Sequence, residues 1–410
     1  MTRWWTSILI ATAVAAPAAA QETVAVRAGR IIPVVGEPID GGVLLLRDGR
    51  IVAIGKDVPV PWDAKVIDAT GLTLAPGAID PCSQRGLDRA NERVPVVPFV
   101  SVVDGYDPVQ RGVEEALRQG VTTLGLTPGA DTLFGGRCTV VRTHGRTIED
   151  AIRAKDWALL VSMGPRSGTN RPGHAAELRR AIAAARDRRR LEGEAGEDAK
   201  LAGKPEPEKK PDPRTDIILS WLDGKLPALC WCRAAADLHR AAALLTAEKA
   251  NATLVCGSDA WKAAKFLAER KALVVLDPTL VVWERDPEDP TIETRHVTPA
   301  ELHAAGVRFA CTTTTGGLSR NPWYQAAVCV RHGVPRDVAL KAVTLHGAEA
   351  LGLQDRLGSL EVGKEADVVA FTADPLSSAA WVEWVMIQGQ IIYRRAEDPV
   401  VKRLMGDEKK

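Results

Sequence analysis

The chain has 410 residues, 46% hydrophobic and 26% charged, an ordinary globular composition with length for one large domain plus a smaller one. Its 53 basic side chains almost balance 52 acidic ones, so no overall field draws in nucleic acid or an anionic membrane. With both excluded, a small molecule or peptide is the expected ligand.

Residues 1–20 read as an export signal. Arg3 gives a positive start, Trp4 to Val14 is a short apolar run, and the small Ala18 and Ala20 prepare cleavage before Gln21. No later stretch reaches the roughly 20 apolar residues that a transmembrane helix needs. The mature chain is therefore expected to be periplasmic or secreted, with no membrane attachment after cleavage. Seven cysteines, Cys82, Cys138, Cys230, Cys232, Cys256, Cys311 and Cys329, are too few and too dispersed for a small disulfide framework. An oxidising compartment still permits pairing.

Residues 21–75 alternate short β-type runs with turns: "VAVRAGRIIPV", "GGVLLLRDGRIVAIG" and "AKVIDATGLTLAPG". The Asp-Gly within "RDGR", set between apolar runs, is a hairpin signal. Residues 355–396 have the same texture, in "ADVVAFTADP" and "VEWVMIQGQIIYRR", with Gln388-Gly389 as the turn. Two β-rich ends around a different middle predict that the termini pair into one small β-sandwich. Residues 397–410 read as a charged tail.

Between them, residues 76–354 alternate helix and strand. "VEEALRQG" leads to "VTTLGLTPG", "AADLHRAAALLTAEK" to "ATLVCG", "WKAAKFLAERK" to "ALVVLDP" and "TPAELHAAG" to "VRFACTTTTGG". Repeated units of this kind imply a parallel α/β sheet, and their length suits a TIM-like (β/α)8 barrel, with an open doubly wound sheet as the alternative. The glycine-rich "PGADTLFGGR" lacks the Gly-Lys-Ser/Thr of a phosphate loop. From about residue 179 to 214 the chain is charged throughout and ends in alternating prolines, a solvated helix followed by an extended linker on the surface.

Several phrases resemble the amidohydrolase superfamily, in its imidazolonepropionase-like branch. They are "GGVLLLRDGRIVAIG", "VIDATGLTLAPGAIDPCSQRGL", "ALRQGVTTLGLTPG", "LFGGRCTVVRTHGRTIEDAI", "LDGKLPALCWCRAAADL", "LVCGSDAWKAAKFLAE" and "LGSLEVGKEADVVAFTADPL". They run in the family's order from about Thr23 to Arg394. The resemblance implies the same barrel, with its site at the C-terminal strand ends, flanked by a composite β-sandwich. It also implies a divalent metal that activates water against an amide or cyclic C–N bond, held by imidazole and carboxylate.

The positions that match the family's ligands carry other residues. The first-strand His-x-His falls on Cys82-Ser83-Gln84, and a branch pattern with a bridging lysine, K-x-x-x-G-E, falls on "LLVSMGPR", with Leu160 and Pro165 at its lysine and glutamate. The fifth-strand His-Ala-His-Arg matches Cys230-Trp231-Cys232-Arg233, and the sixth-strand "EHG" matches Val255-Cys256-Gly257. The eighth-strand aspartate falls on Thr314, with Thr313 as the alternative. The seven histidines, His346 in "TLHGAEALGL" among them, contain no HxH or HxxxH pair that would replace the lost ligands. Cys82, Gln84, Leu160, Cys230, Cys256 and Thr314 thus mark a vestigial metal site, with no catalytic residue, metal or cofactor expected.

Cys82, Cys230, Cys232, Cys256 and Cys311 cluster at predicted strand ends and leave three readings: small apolar fillers, disulfides Cys230–Cys256 or Cys82–Cys311, or thiolates around zinc or copper(I). The leading functional reading is an exported pseudoenzyme that binds a ligand, as a homodimer or with an active paralogue. Its alternative is an active C–N hydrolase with an atypical cysteine-containing metal site or none, using Cys82 or Cys256 as nucleophile. Asp259 reads as a helix cap. A third class, a carbohydrate or peptide binder, rests on Trp231, Trp261 and Trp283 near predicted strand ends.

Overall fold

The structure is a computed structural model that describes residues 22–89, 92–313 and 321–406. The expected signal segment lies outside the described residues. The strands are β1 (Thr23–Ile31), β2 (Ile39–Arg47), β3 (Arg50–Gly55), β4 (Lys65–Pro76), β5 (Ala78–Ser83), β6 (Val121–Leu126), β7 (Phe134–Arg142), β8 (Ile152–Ser162) and β9 (Ala228–Cys232). They continue with β10 (Ala252–Cys256), β11 (Leu273–Leu276), β12 (Val281–Arg285), β13 (Glu293–Val297), β14 (Arg308–Cys311), β15 (Val368–Phe371), β16 (Val382–Ile387) and β17 (Gln390–Arg394). The helices are α1 (Arg111–Arg118), α2 (Ile148–Ala151), α3 (Arg171–Leu201), α4 (Pro213–Leu222), α5 (Ala235–Glu248) and α6 (Ala264–Glu269). After β13 come α7 (Thr298–Ala304), α8 (Pro322–Arg331), α9 (Arg336–Val343), α10 (Leu345–Ala350) and α11 (Pro399–Met405).

Strands from both ends of the chain form one seven-stranded sheet, in the order β17-β16-β15-β4-β1-β2-β3. Its two outer hairpins turn at Asp48-Gly49 (φ 50° and 74°) and Gln388-Gly389 (φ 49° and 79°). Positive φ at both central residues is what a tight two-residue hairpin requires. The two tips touch: a Cβ on Gly49 would stand 2.6 Å from the Gln388 carbonyl oxygen. The expected sandwich is therefore a single sheet curled until its edge hairpins meet, around Val26, Leu44, Leu46, Leu74, Val368 and Met386. The stretch read as a charged tail includes α11, whose N-terminus is capped by the Asp398 carboxylate.

The second sheet has eight strands in the order β5-β6-β7-β8-β9-β10-β11-β14. This is a nearly closed TIM-like barrel with one departure from the all-parallel expectation: β7 runs antiparallel to both β6 and β8. The β6–β7 connection is a short loop at the barrel mouth, so β7 descends where a crossover helix would otherwise return the chain. At the seam, the single hydroxyl proton of Thr312 is shared between Asp80 Oδ1 (2.6 Å) and the Cys82 carbonyl (2.5 Å), joining the end of β14 to β5.

Side-chain parity separates two cores. Leu160, Leu229, Trp231, Val255, Val275 and Ala310 fill the barrel. Their chain neighbours Leu159, Cys230, Cys232, Cys256, Leu276 and Cys311 pack outward against Leu238 and Ala241 of α5, Leu267 of α6, Leu302 of α7 and Ala339 of α9. The charged insertion is the helix α3 followed by an irregular return. Only His174, Leu178, Ile182 and Ala185 of α3 are buried, all in its first half.

Candidate active site

The C-terminal strand ends surround a cavity of about 450 Å³. Gln84 enters from the end of β5, Asp131 from the β6–β7 loop, Trp231 and Arg233 from β9, Ser258 from the end of β10, and Asp277 and Thr279 from the end of β11. Strand β9 is buried at every residue, so its pleat alone decides which side chains reach the barrel. Trp231 points inward and Arg233, two residues on, follows it into the mouth.

Arg233 is held by its surroundings. A Cβ on Gly257 would sit 2.1 Å from the Arg233 carbonyl oxygen, and one on Gly164 3.0 Å from its Cγ. Bare backbone at Gly257 makes room for the main chain of Arg233, and at Gly164 for its stem. Its guanidinium stands 3.9 Å from Asp131, whose Oδ1 also accepts from the Ser167 backbone N–H at 2.5 Å. Burial acts to raise the Asp131 carboxyl, but the Ser167 hydrogen bonds and the guanidinia of Arg233 and Arg166 prevail and hold it below its ordinary value.

Below the mouth lie the residues expected at the metal positions. Cys82 faces the interior, wholly buried, its Sγ 3.5 Å from Thr127 Oγ1. Leu160 packs in the same inner cluster with Cys138. The buried Asp80 carboxylate accepts from the Thr312 hydroxyl and, at 3.1 Å, from the Thr313 backbone N–H, while its other oxygen takes the Thr313 hydroxyl. Thr314 lies outside the described residues.

Three expectations about the cysteines are corrected. Cys230, Cys232, Cys256 and Cys311 do not point into the mouth but lie behind the barrel wall, because the inward parity of β9, β10 and β14 belongs to Trp231, Val255 and Ala310. All seven cysteines are free. Cys82 and Cys311 face opposite sides of the sheet, and Cys256 stands in register with Cys232, not with Cys230. A thiolate cluster of the five does not assemble either. Burial pushes the Cys256 thiol up, and contact with Cys230 together with burial does the same for Cys232.

The other singled-out residues have structural partners. Both carboxylate oxygens of Asp259 accept from the Ala235 backbone N–H (3.1 Å), so it caps the first turn of α5. His174 bonds the Ser162 carbonyl (2.8 Å) and His346 the Phe309 carbonyl (2.8 Å). Trp261 stacks on His296 with ring centroids 3.5 Å apart, and neither Trp261 nor Trp283 lines the mouth. Sequence reasoning placed Trp231 near a strand end but missed Arg233, Asp131 and Asp277. The signal available for them was position alone, each following directly on an apolar strand or its loop.

The chain spans 40% of an amidohydrolase from Hapsidospora irregularis (23% identical, 88% of this chain) and 28% of an imidazolonepropionase from Pseudomonas fluorescens (35% identical over 123 residues, 28% of this chain). The model of the amidohydrolase family matches residues 242–392. A solved amidohydrolase from Thermotoga maritima superposes with a TM-score of 0.80 at 27% identity, covering 90% of this chain and all of that one. The chain belongs to the amidohydrolase superfamily, in its imidazolonepropionase-like branch.

An amidohydrolase metal centre needs imidazole and carboxylate donors converging on one point. In this member the described residues of the mouth include Gln84, Trp231 and Arg233 with the carboxylates of Asp131 and Asp277 but no imidazole, and the buried Asp80 commits both oxygens to the end of β14. Among the described residues no three His, Cys, Asp or Glu side chains come together in a way that can hold a metal ion. The described residues do not fit the superfamily's divalent ion. The arrangement can instead bind: a flat indole wall, a guanidinium and two carboxylates around a small-molecule cavity. No helix among the described residues is long and apolar enough to cross a membrane.

Proposed function

We propose that this amidohydrolase-superfamily member is a pseudoenzyme that binds a small molecule in the barrel mouth and carries out no metal-dependent hydrolysis. The observation that carries this reading is the inward parity of β9, which puts Trp231 and Arg233 into the mouth where the superfamily's chemistry needs metal donors. The cavity persists while its donors are replaced, so recognition is retained and water activation is not. Metal-free thiol chemistry finds no support, since Cys82 is wholly buried beneath the mouth. The Arg3 start, the apolar run and the small Ala18 and Ala20 support export of the mature chain.

The test is the metal-to-protein ratio of untagged mature protein offered zinc, manganese and iron, together with turnover of cyclic amides and dipeptides. A ratio well below one with no turnover above background is expected. A ratio near one, with metal-dependent C–N hydrolysis that disappears in Cys82→Ala, would overturn the proposal. Binding in the mouth is read separately, from Trp231 fluorescence on titration with small-molecule pools. Arg233→Ala is expected to weaken any such binding at least tenfold.

A further inference from the structure

Away from the mouth, the outer face of α8 forms a ridge. Tyr324, Val328 and Arg331, about one turn apart each, stand between two hollows. The hollow towards the curled sheet measures about 590 Å³ and is walled by Phe371 and Trp381. The one towards the β12–β13 hairpin measures about 270 Å³ and is walled by Val281 and Arg295. Trp283 pairs with Arg295 across that hairpin, so both side chains share the face that borders this second hollow. Large aromatics are unusually open along the whole strip: Tyr324 is 60% exposed, Trp283 59% and Trp381 56%.

The charge here is one-sided. No carboxylate occurs among the described residues that line either hollow. Arg295 and Arg331 form no ion pair with any described carboxylate, whereas Arg111, Arg188 and Arg308 do. His332 is pushed below its ordinary value first by burial and then by those same two guanidinia, which places both arginines close to it. In a chain with net charge +1 this is a local excess, and aromatic side chains with arginine are the composition of interface centres.

We propose that this face docks an acidic polypeptide segment of a partner protein, its apolar side chains in the two hollows beside Tyr324 and its carboxylates on Arg295 and Arg331. An acidic partner supplies the negative charge that the two hollows lack, and apolar side chains supply what covers the open aromatic rings. The second hollow adjoins the mouth, Pro278 and Leu280 alternating with the mouth's Asp277 and Thr279, but no lining residue is shared, so the proposal stands whether the mouth binds or catalyses.

The experiment is fluorescence anisotropy on the mature full chain with three dye-labelled synthetic peptides. One alternates Glu with Leu and Phe, one replaces each Glu by Lys, and one replaces each Leu and Phe by Ser. Saturable binding of the first is expected, with at least tenfold weaker binding of the other two and at least tenfold loss in Arg295→Glu/Arg331→Glu. Tyr324→Ala, at an exposed position, repeats the test if the double variant melts early. No saturable binding, equal binding of the Ser peptide, or wild-type affinity in the variants overturns the proposal. So do phosphatidylglycerol vesicles that bind in an Arg295- and Arg331-dependent way and displace the peptide, an outcome that assigns the face to a membrane.

Discussion

Gly257 and Asp80 show how single residues set the geometry of the mouth. A Cβ at Gly257 would fall 2.1 Å from the carbonyl oxygen of Arg233, a backbone atom that cannot swing aside as a side-chain end would. Gly257→Ala is therefore expected to displace the end of β9, lowering stability by about 1–3 kcal/mol. It should also weaken any ligand that depends on Arg233, and urea denaturation with and without ligand reads both effects. Unchanged stability would mean that β9 and β10 have room to separate. Asp80 acts on the barrel seam, accepting from two threonine hydroxyls and a backbone N–H at the end of β14. Asp80→Ala strands those buried donors, at roughly 1–3 kcal/mol for each that finds no other partner. Hydrogen exchange of the β14 amides should rise in this variant above that of the β9 amides; uniform exchange would show that the seam does not depend on Asp80.

The same logic operates over whole elements. In β9, the sequence "ALCWC" is buried on both faces, so no alternation of polar and apolar residues marks its inward side. That is why the composite sheet and the order of the barrel strands were legible from alternating texture while the contents of the mouth were not. Once parity is known, Trp231 and Arg233 replace Cys230 and Cys232 as mouth residues. The antiparallel run of β7 was hidden in the same way, because a descending strand joined by a short loop carries no helical signature. The seam bond of Asp80 depends on a pairing 232 residues apart, which no local pattern reports. The long helix α3 was legible, since its mixed charges mark a solvated surface, and only its first half is buried. Beyond Arg189 its ion pairs, such as Arg190–Glu194, are exposed and lie within the helix itself. Because Arg188 reaches the Lys210 carbonyl at 2.6 Å, the chain ends of an excised loop would already be close. Replacing residues 192–208 by a short Gly-Ser bridge is expected to leave the thermal midpoint within a few degrees, as surface changes usually do. A loss of more than about 10 °C, read by scanning calorimetry, would show that the outer half of α3 supports the barrel.

At the scale of the whole molecule, the barrel and the curled sheet are joined by a buried charge network. Arg153, at the start of β8, places one guanidinium nitrogen 2.5 Å from Glu365 and the other against Asp367; all three side chains are at most 5% exposed. Gln388, from the β16–β17 turn, donates to both acids and accepts from Arg142 of β7 at 2.6 Å. Burial acts to raise both carboxyls. Arg153 and Arg356 outweigh it at Glu365 and hold that group below its ordinary value, whereas at Asp367 burial prevails and the group is raised. The depressed Glu365 contributes stability that is present above its ordinary value of about 4.3 and is lost as pH falls through the folded value. Asp367 works the other way, since ionising it costs the folded state stability as pH rises above its ordinary value of about 3.9. Arg153→Leu removes the charge that faces both acids, so both folded values rise and ionisation at neutral pH becomes unfavourable for the fold. The variant should lose about 3–5 kcal/mol at pH 7, the usual consequence of leaving a buried charge without its partner. That deficit should shrink towards pH 4.5, where protonation relieves the two carboxylates. Urea denaturation of both proteins at pH 4.5, 5.5 and 7 decides the matter: a deficit that grows with pH assigns the domain junction to electrostatics, and one that is flat assigns it to the packing of the arginine stem.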